Sequence, residues 1–350
     1  LDMLGHDDPT MVKMLEDLTG IQVKSLPLDD RDTMSIFISS KVLGYEDDPI
    51  LGPTGATAIP EFGTSFTRGM LVDTQPKKFD TLLRISGFSH GTDVWLGNAK
   101  DLILGGTAST NEVIGCRDDI MLYLIRCGLP DKRSFKIMES VRKGRGLPEG
   151  AEEEMIAAGV PGWYIESCKK IKYLFPKAHA VAYVMMAFRI AWFKVHRPLA
   201  FYAAYFSIRA VAFDALVMTA GMEAVKAKMK EINAKDDATQ NEKDMVVTLE
   251  VCYEFYLRGF SFAPMDLYRS DATRFLIDGE QLIPPFVAVA GLGETAARNI
   301  VDSRQDRSFI SIDEFSAACP KITKAHVEGL KQAGVFGDMP ETSQVSLFEM

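Results

Sequence analysis

Residues 173–196 read YLFPKAHAVAYVMMAFRIAWFKVH, and the fold class turns on that stretch. Its apolar run after Ala178 is the one candidate membrane span. Arg189, Lys194 and His196 interrupt it, so it reads as a buried helix of a soluble protein. Pro176 breaks the helical pattern of 162–175, GWYIESCKKIKYLF, and can start the next helix, which ends before Pro198. Lys177 and His179 then fall in a first helical turn, where N–H groups are free and the dipole is positive. Cations there are poor for helix stability and useful for holding phosphate. The plainer alternative has both side chains facing solvent while Ala180, Tyr183 and Val184 enter the core.

The pattern outward from this run is mainly helical. Asp8-Pro9 opens a helix to about Leu18. Asp118 and Asp119 are placed to cap IMLYLIRC, which Gly128 ends. DKRSFKIMESVRK carries Phe135, Ile137, Met138 and Val141 at helical spacing and stops at GRG. Two more helices cover roughly 213–233 and 239–258. The texture then changes. TRFLIDGEQLIPPF (273–286) has an Asp-Gly turn between two short apolar runs, a hairpin signal. Boundaries near 210 and 340 separate a helical body, a second domain and a tail. The expected fold is mainly α, with a multi-helix domain followed by a helix-hairpin-helix domain carrying a small β-hairpin, then a flexible C-terminal tail.

The 350 residues include 47% apolar and 25% charged side chains, enough for a sizeable core. Five scattered cysteines without a C-x-x-C pair suit reduced cytosolic thiols better than disulfides or a zinc site. No segment reads as a signal peptide. Beginning at Leu1, the chain reads as part of a longer one. Net charge is −9. Residues 126–145 nevertheless carry seven Lys/Arg against Asp131 and Glu139, net +5, and 166–197 carry seven against Glu166, net +6. The rest must hold −20. Two basic blocks on an acidic body fit a local polyanion site or two solvated helix faces equally well.

The most specific local signal is VAGLGETAARNIV (289–301). Gly291 and Gly293 form a short turn into a helix with Ala296, Ala297 and Ile300 on its packing side. This resembles a helix-hairpin-helix unit, whose backbone approaches phosphates closely and grips DNA without reading its sequence. PKITKAHVEGLKQAGVF (320–336) is a candidate second copy, with Lys321 and Lys324 in its turn. An ordinary helical hairpin with a glycine turn is the competing reading of both.

Six segments, LDMLGHDDPTM, PEFGTSFTRGML, SGFSHGTDVWLGNA, IGCRDDIM, FKIMESVRKGRGL and KIKYLFPKAHAVAY, occur in the order of the PolC type of bacterial DNA polymerase III α subunit, a C-family replicative polymerase. The resemblance runs from Leu1 to Met350. It implies the end of the palm (1–10), the fingers (11–210), a duplex DNA-binding domain (211–340) and a clamp-binding tail (341–350). It makes Asp2 a catalytic metal ligand for Mg²⁺, in two-metal activation of the primer 3′-hydroxyl for dNTP addition. It turns Arg68, His90, Arg117, Lys177 and His179 toward the incoming dNTP, with Lys177 and Arg117 on the triphosphate. A structural turn held by Asp93 competes with that role for the stretch around His90. Arg142 and Lys143 are directed to template or duplex phosphates. The tail QVSLF resembles a sliding-clamp (β) peptide, with Gln344 polar and Leu347 and Phe348 as anchors.

The family's Asp-x-Asp pair is missing here. Asp30-Arg31-Asp32 has the spacing but sits in a polar loop. The fragment is therefore expected to be inactive alone. The expected setting is the bacterial cytoplasm, at the nucleoid during replication. Primer-template DNA, dNTP, the clamp and other replisome subunits are the expected partners, with no membrane. The alternative is a non-catalytic DNA-binding and clamp-tethering module, which has no reason to retain Asp2 together with Lys177.

Overall fold

The computed structural model describes residues 7–210, 212–305 and 307–342. It is mainly helical, with one three-stranded sheet, and it divides into two compact units, 23–195 and 1–22 together with 196–350.

In the 23–195 unit the core helix is the one the apolar run predicts, Lys177–His196. By length and composition alone it could cross a membrane. Its Ala180, Val184, Ala187, Phe188, Ile190, Ala191 and Phe193 are instead buried within the unit. Phe188 stacks on Phe37, centroids 6.2 Å apart, and Phe37 meets Phe62 edge-on at 5.1 Å. Lys194 is 0% exposed, yet its Nζ donates to the carbonyls of Gly55 at 2.8 Å and Thr57 at 2.6 Å. A buried ammonium is tolerated only when its donors are met. Around this helix lie Ser65–Thr74, Phe79–His90, Lys100–Leu104, Arg117–Arg126, Asp131–Arg142, Ala151–Ala157 and Gly162–Lys170.

One expected helix is shorter than its pattern. The helix over 162–175 ends at Lys170, and Ile171 is already extended (φ −62°, ψ 132°). Pro176 disfavours helical geometry in the residue before it, and the backbone of 171–175 is drawn into bonds with distant segments. The segment reading 213–233 is likewise two helices, Ala215–Met218 and Met222–Asn233, broken at Gly221, whose φ is +106°.

In the other unit, helix Asp8–Thr19 packs on Pro198–Ile208. Arg209 reaches Asp8 Oδ1 at 2.5 Å. Tyr202, Phe206, Phe213, Phe255, Phe262 and Phe275 form an aromatic core. Those aromatic contacts draw 196–210 into this unit, so the break in packing lies at 195/196. The sequence boundary stands near 210. Strands β1 (Ser261–Phe262), β2 (Leu276–Asp278) and β3 (Gln281–Ile283) form a sheet in the order β1-β3-β2. The antiparallel β2–β3 pair is the expected Asp-Gly hairpin, with Asp278 opposite Gln281. The parallel β1, two residues long, leaves no signal in the sequence.

Candidate functional site

The extended segment 171–176 is strung between the ends of three other elements. Thr92 N donates to Tyr173 O at 3.0 Å and Lys172 N to Thr92 O at 3.0 Å. Leu174 N donates to Arg142 O at 3.4 Å, and Arg117 N to Phe175 O at 3.1 Å. Four segments far apart in sequence, 86–99, 114–121, 135–147 and 170–183, thus meet along six residues of backbone.

Two helix N-termini abut there, Arg117–Arg126 and Lys177–His196, each with a cation as its first residue. Their carboxylates are shared out. Asp118 Oδ2 accepts from Lys177 N at 2.8 Å, so it caps the neighbouring helix. Asp119 caps its own helix, accepting at Oδ2 from Cys116 N at 2.8 Å and Gly115 N at 3.1 Å. Arg84 also stands 3.5 Å from Asp119. Lys177 Nζ is loosely held, 3.6 Å from Asp119 Oδ1 and with its side chain 31% exposed. Arg117 Nε is 3.9 Å from Asp118 Oδ2. With Arg84, these three cations face two carboxylates at two positive dipole ends, an arrangement suited to an incoming polyanion. Burial pushes the neighbouring Cys116 thiol up to about 12, which favours the protonated thiol.

A row of rings flanks this cluster. His90 stacks on Phe175 at 4.7 Å, Phe175 meets His179 edge-on at 5.4 Å, and His179 lies 5.2 Å from Tyr183. His90 Nε2 is 3.3 Å from Glu61 Oε2 and its Nδ1 is 2.8 Å from Ser86 O. Lys177, His179, His90 and Arg117 are therefore gathered about one hub. Arg68 is engaged elsewhere: its NH1 donates to Leu51 O at 3.2 Å and Thr57 Oγ1 at 3.1 Å, in the loop that Lys194 also holds. Asp93 takes the turn conformation, with φ +57°, and its carbonyl accepts from Asn98 Nδ2 at 3.0 Å. Arg142 and Lys143 both grip Glu139, Lys143 Nζ at 3.0 Å. That holds the Glu139 carboxyl at about 2, the Arg142 bond being the main cause. Sequence reading leaves out Arg84, Phe175 and Glu61. Glu61 lies inside PEFGTSFTRGML, but only the folded chain brings it to His90.

Asp2 lies outside the described residues, as do Gln344, Leu347 and Phe348. Among the described residues no group of three His, Cys, Asp or Glu could hold a metal ion.

In the other unit, Gly291 has φ +80°, and the loop 289–293 leads into helix Glu294–Arg304, with Gly293 O accepting from Ala296 N and Ala297 N at 3.0 Å. A second pair follows, Ile312–Ala318 and Lys324–Gln332, with Thr323 capping the latter. Lys321 N donates to Asn299 Oδ1 at 3.1 Å, tying the second turn to the first helix. A Cβ at Gly329 would stand 2.9 Å from Val289 Cγ1, so the last helix presses on the first loop. Leu292, Ala296, Ala297, Ile300, Phe315 and Leu330 share the core between them. Gly291, Gly293, Lys321 and Lys324 remain exposed.

Residues 8–160 match the bacterial DNA polymerase III alpha subunit finger domain, and 259–345 match a helix-hairpin-helix motif. A DNA polymerase III PolC-type of Caldanaerobacter subterraneus subsp. tengcongensis is 54% identical over 349 residues, 99% of this chain and 25% of that protein. The chain belongs to the PolC-type DNA polymerase III family. The PolC-type protein of Bacillus cereus is 54% identical over 349 residues, covering 99% of this chain and 24% of its own length. That of Thermotoga maritima is 53% identical over 348 residues, 99% of this chain and 25% of its own. The chain spans about a quarter of the length of these PolC-type relatives.

Proposed function

We propose that this chain is the part of a DNA-directed DNA polymerase that receives the incoming dNTP and grips duplex DNA. The observation that carries the reading is the meeting of two helix N-termini on segment 171–176, with Lys177 and Arg117 as their first residues. In this reading both bind the triphosphate, with His179 and His90 beside it. Arg68 acts from the 51–57 loop, and Arg142 and Lys143 meet template or duplex phosphates. Residues 11–210 serve as fingers and 211–340 as the duplex-binding domain, whose turns at 289–293 and 319–324 hold phosphates. Asp2 is the proposed Mg²⁺ ligand; the metal supplies charge neutralisation during phosphoryl transfer. The chain alone is inactive. Residues 341–350 tether the polymerase to the sliding clamp within the replisome, in the bacterial cytoplasm.

The test is Lys177→Ala in the complete polymerase. Loss of a charge-assisted contact is worth about 1.5–3 kcal/mol, so KM should rise roughly 10- to 150-fold for all four dNTPs. Tm should barely move. Loss confined to one base, or unfolding with normal kinetics, refutes the assignment.

A further inference from the structure

Several surface cations of this acidic chain are matched: Lys226 with Glu223, Lys228 with Glu231, Arg269 with Asp278 and Arg298 with Glu294. Lys132, Lys136, Arg145 and Lys172 are different. All four are exposed, and among the described residues none has an ion pair or hydrogen bond through its side chain. Lys132 and Lys136 lie four apart on helix Asp131–Arg142, and position 143 continues the same stripe. The stripe is about 16 Å long from 132 to 143. At its end the chain turns through Gly144, whose α-carbon packs against the backbone of Lys172, so Arg145 and Lys172 extend the stripe. Two carboxylates of this region are engaged by other cations, Glu139 by Arg142 and Lys143, Glu154 by Arg133.

Two aromatic side chains interrupt the charge. Phe135, 51% exposed, sits between Lys132 and Lys136, and Tyr173, 42% exposed, follows Lys172. Neither ring stacks on another among the described residues. Exposed rings between unmatched cations suit a strand whose bases are free to stack; in a duplex those faces are covered. We propose that this face is a track for single-stranded nucleic acid, the unpaired template strand, leading to the segment that carries Lys177. The polymerase reading enters only in naming the strand.

The test uses the complete polymerase and a labelled primer-template, either blunt or with a 5′ template overhang on the same duplex. Lys132→Ala/Lys136→Ala/Lys172→Ala should lower the salt slope of binding on the overhang substrate by about 2, at roughly 0.7 per single-strand contact, and leave the blunt slope unchanged. Phe135→Ala removes an exposed ring with little effect on folding and should weaken overhang binding roughly tenfold. Equal slope changes on both substrates overturn the proposal, as does a silent Phe135→Ala. Competition by an acidic peptide, with no affinity gained from the overhang, assigns the face to a protein and also overturns it. Failure of the dNTP reading appears instead in the KM of Lys177→Ala.

Discussion

Gly144 and Gly146 provide a matched pair for asking whether segment 171–176 organises the candidate dNTP site. Both have left-handed backbones, with φ +69° and +71°. They differ in surroundings. A Cβ on Gly144 would lie 2.5 Å from Lys172 O and 3.1 Å from its Cα, whereas one on Gly146 meets nothing within 4 Å. Alanine at either position bears the left-handed penalty of about 1–2 kcal/mol. At Gly144 the clash is with backbone, which no rotamer change relieves, and overpacking adds about 1–3 kcal/mol. Gly144→Ala should therefore lose about 2–5 kcal/mol and Gly146→Ala about 1–2. The shift at Gly144 falls on Lys172, whose N–H bonds Thr92 O, five residues before Lys177. Denaturant unfolding of both variants, with dNTP KM measured in the complete polymerase, checks this. KM should rise for Gly144→Ala and stay near wild type for Gly146→Ala. Equal stability losses would refute the packing argument. A normal KM with the larger loss would separate the segment from the nucleotide site.

Replacing Gly291 and Gly293 with valine should remove about two phosphate contacts and lower the salt slope of duplex binding by roughly 2; an unchanged slope in a folded protein removes this loop from the interface. The Glu139 carboxyl, held from an ordinary 4.5 to about 2 mainly by Arg142, stabilises the fold above its unfolded pKa, and that contribution is lost as pH falls through about 2. Glu139→Gln should thus lower stability at pH 7 and make little difference near pH 2, read by Tm against pH. Truncation after Thr342 should abolish clamp binding and leave duplex binding intact. Two buried apolar anchors at about 1.5–3 kcal/mol each correspond to roughly two to four decades of affinity; a truncated chain that keeps its clamp affinity places the contact elsewhere.

What was legible in the sequence is what neighbours decide. The Asp278-Gly279 turn, the capped helices and the apolar run from Ala180 to Phe193 are local patterns, and the fold contains them. The 171–175 segment reads as helix for the same reason. Cys168, Ile171 and Leu174 keep a helical spacing and all three are buried, so periodicity alone continues the helix. The bonds that extend it come from Thr92, Arg117 and Arg142, up to 81 residues away in sequence. Asp118 and Asp119 look like two caps for one helix. Only in the folded chain does Asp118 cap the helix of Lys177 while Asp119 closes its own.

Lys194 makes the complementary point. In the sequence it is a charge that argues against a membrane span. In the fold it is fully buried, with the carbonyls of Gly55 and Thr57 as acceptors, and Arg68 holds Leu51 and Thr57 from the other side. The resemblance turns Arg68 toward the incoming dNTP, and its described bonds run to this loop. The loop goes on through Ala58 and Glu61, both in left-handed conformations at φ +65° and +68°, to the Glu61 carboxylate beside His90. Non-glycine residues hold such angles only where the surroundings impose them. Two cations anchoring the loop at its middle supply that constraint, and its far end reaches the ring row of His90, Phe175 and His179. On this geometry the proposed role of Arg68 at the candidate dNTP site is exerted through backbone placement. Arg68→Lys keeps the charge but replaces the planar donor that reaches Leu51 O and Thr57 Oγ1 together. It should therefore disturb the site nearly as much as Arg68→Ala, whereas a direct charge contact to triphosphate would be largely rescued by lysine.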